Sequence, residues 1–252
     1  MAYAKIIDID DPGYFRLKSI DQSQLKQFLK NPADWAYHRL NDDHKPTDAM
    51  KFGTAFHAYL LGTSDVVSLP EGESFRSKDN QKWRADQLEA GNIIVSYNDM
   101  QLLKRMKEGI EQTSLMPEYP DYMEIIEQGT KEQCIEWKDR QTGLMLKAKP
   151  DLIPAGTDYL VDLKTAQKAD AESFAKEVIN YGYHIQTVFY RAAVAACKPD
   201  AFDRGSKAPS TMQFWVFEKT DACDWQPSAS AMTIRSRILP RPASVKRSWA
   251  SP

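Results

Sequence analysis

The sequence contains few cysteines: there are three in 252 residues, and no two form a C-x-x-C pair. This scarcity argues against a disulfide framework, a zinc knuckle and an iron–sulfur cluster. The sequence also has no apolar run long enough for a signal peptide or a membrane-spanning helix. We therefore expect a cytoplasmic protein with reduced thiols and no membrane association. The cysteines are Cys134, Cys197 and Cys223.

The sequence has no large excess of charge of either sign. Lysine and arginine number 33 against 35 aspartate and glutamate residues, which gives a formal net charge of −2. This balance excludes the broad basic surface of a chromatin-type nucleic-acid binder, although it allows a confined basic site. The 42% hydrophobic and 27% charged residues are typical of a globular protein, and the length suffices for one large domain.

The sequence also contains no internal repeat and no heptad array. We therefore place the boundaries between its regions where the amino-acid composition changes. We expect an N-terminal extension over residues 1–18 and a single domain over 19–219. The domain is helical over 19–115, and its sheet covers 122–219. Residues 220–252 are basic and rich in serine and proline, which predicts a poorly ordered tail.

The spacing of apolar residues predicts the secondary structure. Asp21 caps a first helix that Asn31 and Pro32 end. Further helices are predicted at 32–40, 49–61, 77–91, 98–111, 171–180 and 183–197. Short apolar or alternating runs predict an antiparallel meander at 122–128, 132–139, 143–153 and 158–166, with a last strand at 211–219. The order of elements is that of an α/β or α+β sandwich.

One face of a predicted strand carries an acidic and a basic side chain. Because side chains alternate along a strand, Asp162 and Lys164 share a face while their neighbours point into the core. Asp151 ends the preceding strand, and Lys147 and Lys149 have the same parity. A short turn would bring the two strands together, so that two carboxylates and an ammonium converge at one sheet edge.

This group of side chains suits a hard divalent cation. Mg²⁺ binds one or two carboxylates together with waters and phosphate oxygens. It lowers the pKa of a bound water and neutralises charge in the transition state. A lysine beside it orients the water and offsets negative charge. The alternative is a surface Asp–Lys pair on a half-exposed strand, and the bare pattern does not decide between the two.

Two predicted helices carry further candidates. His57 lies on an otherwise apolar side of its helix, one turn after Gly53, and is either a site residue or a hydrogen-bonded core histidine. Gln186 and Tyr190 lie four residues apart and therefore on one helix face. The alternative for this pair is an ordinary mixed face.

In chain order, these motifs resemble those of a known family. They are G-x-x-x-H, K-A-K-P-D, D-L-K-T and Q-x-x-x-Y, preceded by the segment SIDQSQLKQFLKNPADW. They are similar to the PD-(D/E)xK nuclease superfamily, in particular to the RecE-like exonucleases (exodeoxyribonuclease VIII type) of phage and prophage recombination systems. The resemblance covers residues 19–219. It implies a restriction-endonuclease-like core, in which helices flank a central mixed sheet.

The resemblance also implies an activity. A RecE-like protein would be a metal-dependent exodeoxyribonuclease that degrades linear double-stranded DNA from 5′ to 3′ and leaves 3′ single-stranded overhangs for phage-type recombination. Its metal would be Mg²⁺, which Mn²⁺ could replace. Its partners would be double-stranded DNA ends, a RecT-like single-strand annealing protein and further copies of the chain in a homo-oligomeric ring.

The roles of individual residues follow from their places in the family's motifs. The implied metal ligands are two carboxylates, an imidazole and a backbone carbonyl: Asp151, Asp162, His57 and Leu163. Lys164 would act on the attacking water, so the catalytic residues would be Asp151, Asp162, Lys164 and His57. Glu132 is implied as a further metal ligand or its neighbour. The implied substrate-binding residues are Lys149, Gln186 and Tyr190.

The sequence departs from the family in two places, and alternative functions remain open. Relatives commonly have arginine where Lys149 stands, and they continue into further helix after the last strand, which puts the ring in doubt. One alternative is a RecB-like nuclease of different polarity; the scattered cysteines argue against the members that carry an iron–sulfur cluster. Another is a catalytically silent DNA-end-binding or recombination scaffold protein, against which the intact acidic residues and lysine argue.

Overall fold

The structure is a computed structural model that describes residues 4–41, 46–197, 202, 208–220 and 231–235. Its helices are α1 (Asp11–Arg16), α2 (Gln22–Lys30), α3 (Pro32–Asn41), α4 (Asp48–Leu61), α5 (Lys78–Glu89), α6 (Tyr97–Ser114), α7 (Tyr122–Gln128), α8 (Ala171–Asn180) and α9 (Tyr183–Ala196). Its strands are β1 (Ala4–Ile7), β2 (Val66–Ser68), β3 (Ile93–Val95), β4 (Thr130–Lys131), β5 (Cys134–Lys138), β6 (Met145–Ala148), β7 (Leu152–Ile153), β8 (Tyr159–Ala166), β9 (Thr211–Glu218) and β10 (Ala231–Arg235).

A five-stranded mixed sheet lies at the centre, in the order β10-β9-β8-β7-β4. In this sheet β8 and β9 run parallel, whereas the other neighbouring strands are antiparallel. The chain between β8 and β9 carries α8 and α9, because parallel neighbours need a crossover connection. A three-stranded antiparallel sheet, β1-β5-β6, and a parallel pair, β2-β3, complete the strands. The predicted fold class, with a mixed sheet flanked by helices, is confirmed.

Helices cover both faces of the central sheet, because the side chains of β8 alternate between two cores. Leu160 packs in the same cluster as Phe174 of α8 and Phe189 of α9. Val161, its neighbour in the strand, packs in the cluster that contains Phe56 of α4. A strand enclosed in this way is buried on both sides, so its polar side chains are buried with it.

Side-chain caps explain where several helices begin. Asp21 accepts the N–H of Gln24 at the start of α2, as its position in the sequence predicts. Thr47 and Asp170 cap α4 and α8 in the same way, and Gly62 ends α4 in the left-handed conformation. These two helices coincide within one residue with those predicted at 49–61 and 171–180.

Two predictions about the sheet were wrong. Residues 122–128 form the helix α7 rather than a strand, since Asp121 caps its first turn and its apolar residues also fit one helix face. The strands also do not form an antiparallel meander. The segment predicted as one strand at 143–153 is divided, because β6 pairs with β5 whereas β7 pairs with β8. The chain passes from one sheet to the other at Pro150.

The predicted N-terminal extension and C-terminal tail both contribute strands. Within residues 1–18, β1 pairs with β5, and α1 follows it with Tyr14 buried. Within residues 220–252, β10 pairs with the outer edge of β9, so this part of the predicted tail is a strand. The backbone of an edge strand offers free hydrogen-bonding groups, and β10 satisfies those of β9. Residues 221–230 and 236–252 lie outside the described residues.

The cysteines and the hydropathy of the chain can be compared with the structure only where its residues are described. Cys134 and Cys197 are buried, and Cys223 lies outside the described residues. Of the helices in the described part of the chain, none combines the length and the apolar composition that crossing a membrane requires.

Lys147, which was predicted to lie beside Asp151, is a buried cation in a different place. Its side chain is 1% exposed, and its ammonium donates to the carbonyls of Tyr14 at 2.9 Å and Leu17 at 3.0 Å. It also lies 3.8 Å from Asp21 Oδ2. The prediction was wrong because Lys147 precedes the passage between the sheets whereas Asp151 follows it. Lys147 therefore joins β6 to the N-terminal segment.

Lys147→Met should lower the free energy of unfolding by about 2–4 kcal/mol, because the carbonyls of Tyr14 and Leu17 and the carboxylate of Asp21 lose the buried ammonium. Urea unfolding followed by circular dichroism measures this change. Lys51→Met is the matched control, since it removes an exposed pair with Asp48 on α4, and it should cost less than about 0.5 kcal/mol. Equal losses in the two variants would contradict a structural role for the buried ammonium.

Candidate active site

The pairing of β7 with β8 positions Asp151. The residue lies directly before β7, and its Oδ2 accepts the backbone N–H of Leu163 at 2.8 Å. A tight turn with Gly156 at φ 66° joins the two strands, and a positive φ of this size favours glycine. The structure therefore brings the carboxylate of Asp151 onto the central strand of the mixed sheet.

Helix α4 brings His57 to the same point of β8. Its Nε2 donates a hydrogen bond to the carbonyl of Leu163 at 3.0 Å, and its Nδ1 lies 3.6 Å from Asp151 Oδ1. The helix is held there by its buried face, which includes Phe56 packed on Phe217 of β9. The structure thus places His57 beside Asp151, with one ring nitrogen bonded to the backbone of β8 and the other facing the carboxylate.

Asp162 is held from two directions in the interior. It is 1% exposed. Its Oδ1 accepts a hydrogen bond from Gln186 Nε2 of α9 at 2.5 Å, and its Oδ2 contacts the ammonium of Lys164. Asp162 and Lys164 share a strand face as predicted, but α9 covers that face. A half-exposed surface pair is therefore excluded.

Burial dominates the electrostatics of these groups. It raises the pKa of Asp151 and of Asp162 to about 6, although the charge of Lys164 acts in the opposite direction. Burial also lowers the pKa of Lys164, but the charges of Asp162 and Asp151 outweigh it and hold that pKa above its ordinary value. Lys164 is therefore an ammonium at neutral pH. Two buried carboxyl groups share this one cation.

His57 presents an unprotonated nitrogen to Asp151. The carbonyl of Leu163 can only accept, so Nε2 carries the proton and Nδ1 does not. Burial, and then the charge of Lys164, lowers the pKa of His57, which keeps the ring neutral. Two acceptor atoms, His57 Nδ1 and Asp151 Oδ1, consequently face each other. A proton or a metal ion between them would stabilise this arrangement.

Glu132 and Lys149 lie at the edge of this group. Glu132 has a φ of 46°, its N–H donates to the carbonyl of Asp151 at 2.9 Å, and its Oε1 lies 3.5 Å from Lys149 Nζ. Lys149 also contacts Asp11 of the N-terminal segment. The predicted phosphate-binding lysine is therefore already paired with two carboxylates.

The two candidates on α9, Gln186 and Tyr190, are buried. Gln186 is buried and is occupied by its bond to Asp162. Tyr190, one turn further along α9, is buried in the apolar core between α9 and the sheets. A Cβ in place of Gly53 would meet no atom of another described segment within 4 Å, so in the described part of the chain no other backbone packs on this glycine.

Residues 21–225 match a protein family described as a PDDEXK-like domain of unknown function. The chain belongs to this PDDEXK-like family. Membership indicates a nuclease, and nucleases of this class generally use divalent metal ions. No curated protein matches the chain. Within the matched residues, Pro150-Asp151 and Asp162 to Lys164 have the P-D and D-x-K pattern that the description of the domain names.

The donor chemistry of the PDDEXK-like domain fits a divalent ion. Two carboxylates, a neutral imidazole nitrogen and the Leu163 carbonyl suit Mg²⁺ or Mn²⁺. Asp162 Oδ2 contacts Lys164 but accepts no hydrogen bond of ordinary geometry. Among the residues that the structure describes, no three His, Cys, Asp or Glu side chains converge on one point. Ion binding therefore requires Lys164 to leave Asp162 and requires the carbonyl or water to complete the ligand set.

The sequence did not indicate three residues that contact the site of the PDDEXK-like domain. The ring of Tyr183 lies below Lys164, with the ammonium 4.8 Å from its centroid. Lys26 of α2 lies beside the same ring, and Asp11 pairs with Lys149. Tyr183 is three residues before Gln186, which places it on the same helix face, but Lys26 and Asp11 are too distant in sequence for any spacing to indicate them.

Asp151→Asn should stabilise the metal-free protein at pH 8. The pKa of this carboxyl is about 6 in the folded chain against a model-peptide value of 3.8, so the folded state binds extra protons and its stability falls as pH rises through this range. The amide of the variant does not titrate, so the variant avoids this loss of stability at high pH. It can still accept a hydrogen bond from the Leu163 N–H and donate one to His57. We expect a gain of about 1–3 kcal/mol at pH 8 and little at pH 4, measured by thermal unfolding in EDTA.

The control is Glu118→Gln, which removes an exposed carboxylate between α6 and α7 and should give no such difference between the two pH values. Mn²⁺ should stabilise the unmodified protein more at pH 7.5 than at pH 5.5, because protons compete for the carboxylates at the lower pH. A loss of stability in Asp151→Asn at pH 8 would show that burial does not govern the pKa of this group.

Proposed function

We propose that this PDDEXK-like nuclease is a RecE-like exodeoxyribonuclease that degrades linear double-stranded DNA from 5′ to 3′ and leaves 3′ single-stranded overhangs for phage-type recombination. The observation that carries the nuclease chemistry is the contact of Asp151 with the backbone of Leu163, between Asp162 and Lys164. Exonuclease action and polarity are supported by the order of the four motifs, from G-x-x-x-H to Q-x-x-x-Y.

The residues that would hold a divalent ion are Asp151, Asp162, His57 and the carbonyl of Leu163. When bound, such an ion lowers the pKa of a water molecule and offsets charge on the scissile phosphate. We take Mg²⁺ as the natural ion and Mn²⁺ as a substitute, because both accept hard oxygen ligands together with one imidazole. The backbone N–H of Glu132 bonds to the carbonyl of Asp151. We therefore assign Glu132 a supporting role beside Asp151 rather than that of a metal ligand.

Lys164 acts as a cation in this proposal. Its pKa lies above its ordinary value because two carboxylates surround it, so it does not serve as a base near neutral pH. Its ammonium has three donors, of which one faces Asp162. Once it leaves that carboxylate it can donate to the attacking water and to a phosphate oxygen, which orients the one and stabilises the other.

Gln186 is assigned to positioning and Lys149 to substrate binding. The amide of Gln186 fixes one oxygen of Asp162, which leaves the other oxygen to face Lys164 or an ion. Lys149 can contact a DNA phosphate only if that phosphate replaces Asp11 as its partner. The further partners that we propose are a RecT-like annealing protein and other copies of the chain in a ring.

Two other functions follow from the same fold. A RecB-like nuclease would use the same residues with a different polarity. A silent DNA-end-binding scaffold would need no catalytic geometry, yet Asp162 is buried and paired with Lys164, an arrangement that is costly to desolvate. The second function is therefore the weaker candidate.

The purified protein should degrade a linear 5′-phosphorylated duplex in Mg²⁺ or Mn²⁺ and spare covalently closed circles. Duplexes labelled at the 5′ or the 3′ end report polarity on the same gel. Asp162→Ala should lower the rate by at least about 10³-fold, because it removes a group that acts on the transition state, while folding and DNA binding are retained. Asp158→Asn, an exposed carboxylate at the start of β8, should leave the rate unchanged.

An intact linear duplex in both metals would end the nuclease proposal. Release of label from the 3′ end first would favour the RecB-like alternative, and binding to ends without any hydrolysis would favour the scaffold.

Gln186→Leu should lower kcat by about 10- to 100-fold and change KM little, since the variant loses only the bond that orients Asp162. Single-turnover kinetics with saturating enzyme isolate this step. Gln112→Leu makes the same substitution at an exposed position of α6 and should have no effect. A rise in KM with kcat unchanged would instead assign Gln186 to substrate binding.

A further inference from the structure

Three aromatic rings run from the core to the surface beside Lys164. Phe214 of β9 is fully buried, and Tyr183 of α9 stacks on it with the ring centroids 5.4 Å apart and an interplanar angle of 23°. Tyr181, directly after α8, packs on Tyr183 at 5.8 Å and 35°. Tyr181 is 58% exposed. This aromatic row (Phe214, Tyr183 and Tyr181) therefore ends in a ring that the protein supports from beneath and that solvent reaches.

Two lysines flank the aromatic row. Lys164 Nζ lies 4.8 Å from the centroid of the Tyr183 ring, and Lys26 Nζ lies 6.0 Å from it. Lys26 also donates to the carbonyl of Tyr181 at 2.9 Å. Burial and the charge of Lys164 lower the pKa of Lys26 to about 8, so most of it is protonated at neutral pH. In the part of the chain that the structure describes, its hydrogen-bond partner is this neutral carbonyl.

Gly182 allows the cation and the rings to form one surface. It has a φ of 64°, and a Cβ at this position would lie 2.7 Å from Lys26 Cδ. The side chain of Lys26 therefore rests on the backbone between Tyr181 and Tyr183. A larger residue would displace the side chain of Lys26 from this position and would itself be strained at this φ.

We propose that the aromatic row is a stacking site for an unpaired nucleobase of the DNA strand that reaches Lys164, and that Lys26 contacts the phosphate next to this base. The inference rests on the proposed function and deepens it. Aromatic faces combined with lysines bind single strands because every base has a π face and every nucleotide carries a phosphate. The site would hold any of the four bases, since stacking reads no hydrogen-bond pattern.

The chemistry of the surface favours a nucleotide over an apolar protein segment. An apolar partner on Tyr181 would cover Lys26 without supplying a counter-charge, and burial of an unpaired ammonium is costly. A nucleotide brings the anion with it. At the end of a duplex, the base that enters the active site leaves its neighbour in the stack, and contact with Tyr181 replaces the stacking that it loses.

The experiment uses the full chain and DNA that carries 2-aminopurine, a fluorescent base that stacking quenches, at a terminal nucleotide. A single-stranded oligonucleotide and a blunt duplex are titrated in Ca²⁺. Binding of the unmodified protein and of Tyr181→Phe should quench the fluorescence. Tyr181→Leu keeps an apolar side chain without a π face, and it should lose most of the quenching and bind about 10-fold more weakly. Tyr37→Leu is the control, because Tyr37 of α3 is also 58% exposed.

The outcomes separate this inference from the proposed function. Unchanged quenching in Tyr181→Leu, or equal losses in Tyr37→Leu, overturns the stacking site. Degradation of linear duplex without quenching that depends on Tyr181 overturns it as well and leaves the nuclease proposal standing. Quenching that depends on Tyr181 in a protein that hydrolyses no DNA supports the stacking site alone. Absence of any DNA binding overturns both.

Discussion

Two buried carboxyl groups, those of Asp151 and Asp162, share a single ammonium in this PDDEXK-like domain. The surrounding residues stabilise this excess of potential negative charge. Asp151 and Asp162 would repel each other in a low-dielectric interior if nothing else bound them. The N–H of Leu163, the amide of Gln186 and the charge of Lys164 each satisfy one oxygen. One positive charge is still lacking, and a proton or a metal ion supplies it. The same deficit that makes the site costly to fold gives it affinity for cations.

Lys147 and Lys149 of the K-A-K-P-D motif have different partners from Asp151, because the chain passes from one sheet to the other between these lysines and Asp151. Lys147 is buried under the N-terminal segment and bonds to its carbonyls. Lys149 lies on the side of the site, where Asp11 and Glu132 compensate it. The protein therefore presents little free positive charge near the carboxylates. A net charge of −2 is compatible with the proposed binding of DNA in a confined place, where phosphates would replace carboxylates as partners of these lysines.

Local patterns in the sequence predicted the elements that depend on near neighbours. Asp21 marks a helix start because its bond spans three residues, and Asp162 and Lys164 share a face because strands alternate. The helix at 122–128 was mistaken for a strand, since its apolar residues suit either period, and the cap at Asp121 together with packing against α6 decides for the helix. The contacts of Lys26 and Asp11 with the site join distant parts of the chain. No spacing encodes them, and they follow from the path of the backbone alone.

The residues around Leu163 also come from widely separated parts of the chain. His57 lies on α4, Asp151 and Asp162 lie on a central hairpin, and Gln186 lies on the crossover that precedes β9. Non-local contacts of this kind form late in folding, because loop closure must come first. A growing or partly unfolded chain consequently holds the carboxylates without the helices that bury and orient them. The hydrolysis that we propose would thereby be restricted to the completed fold.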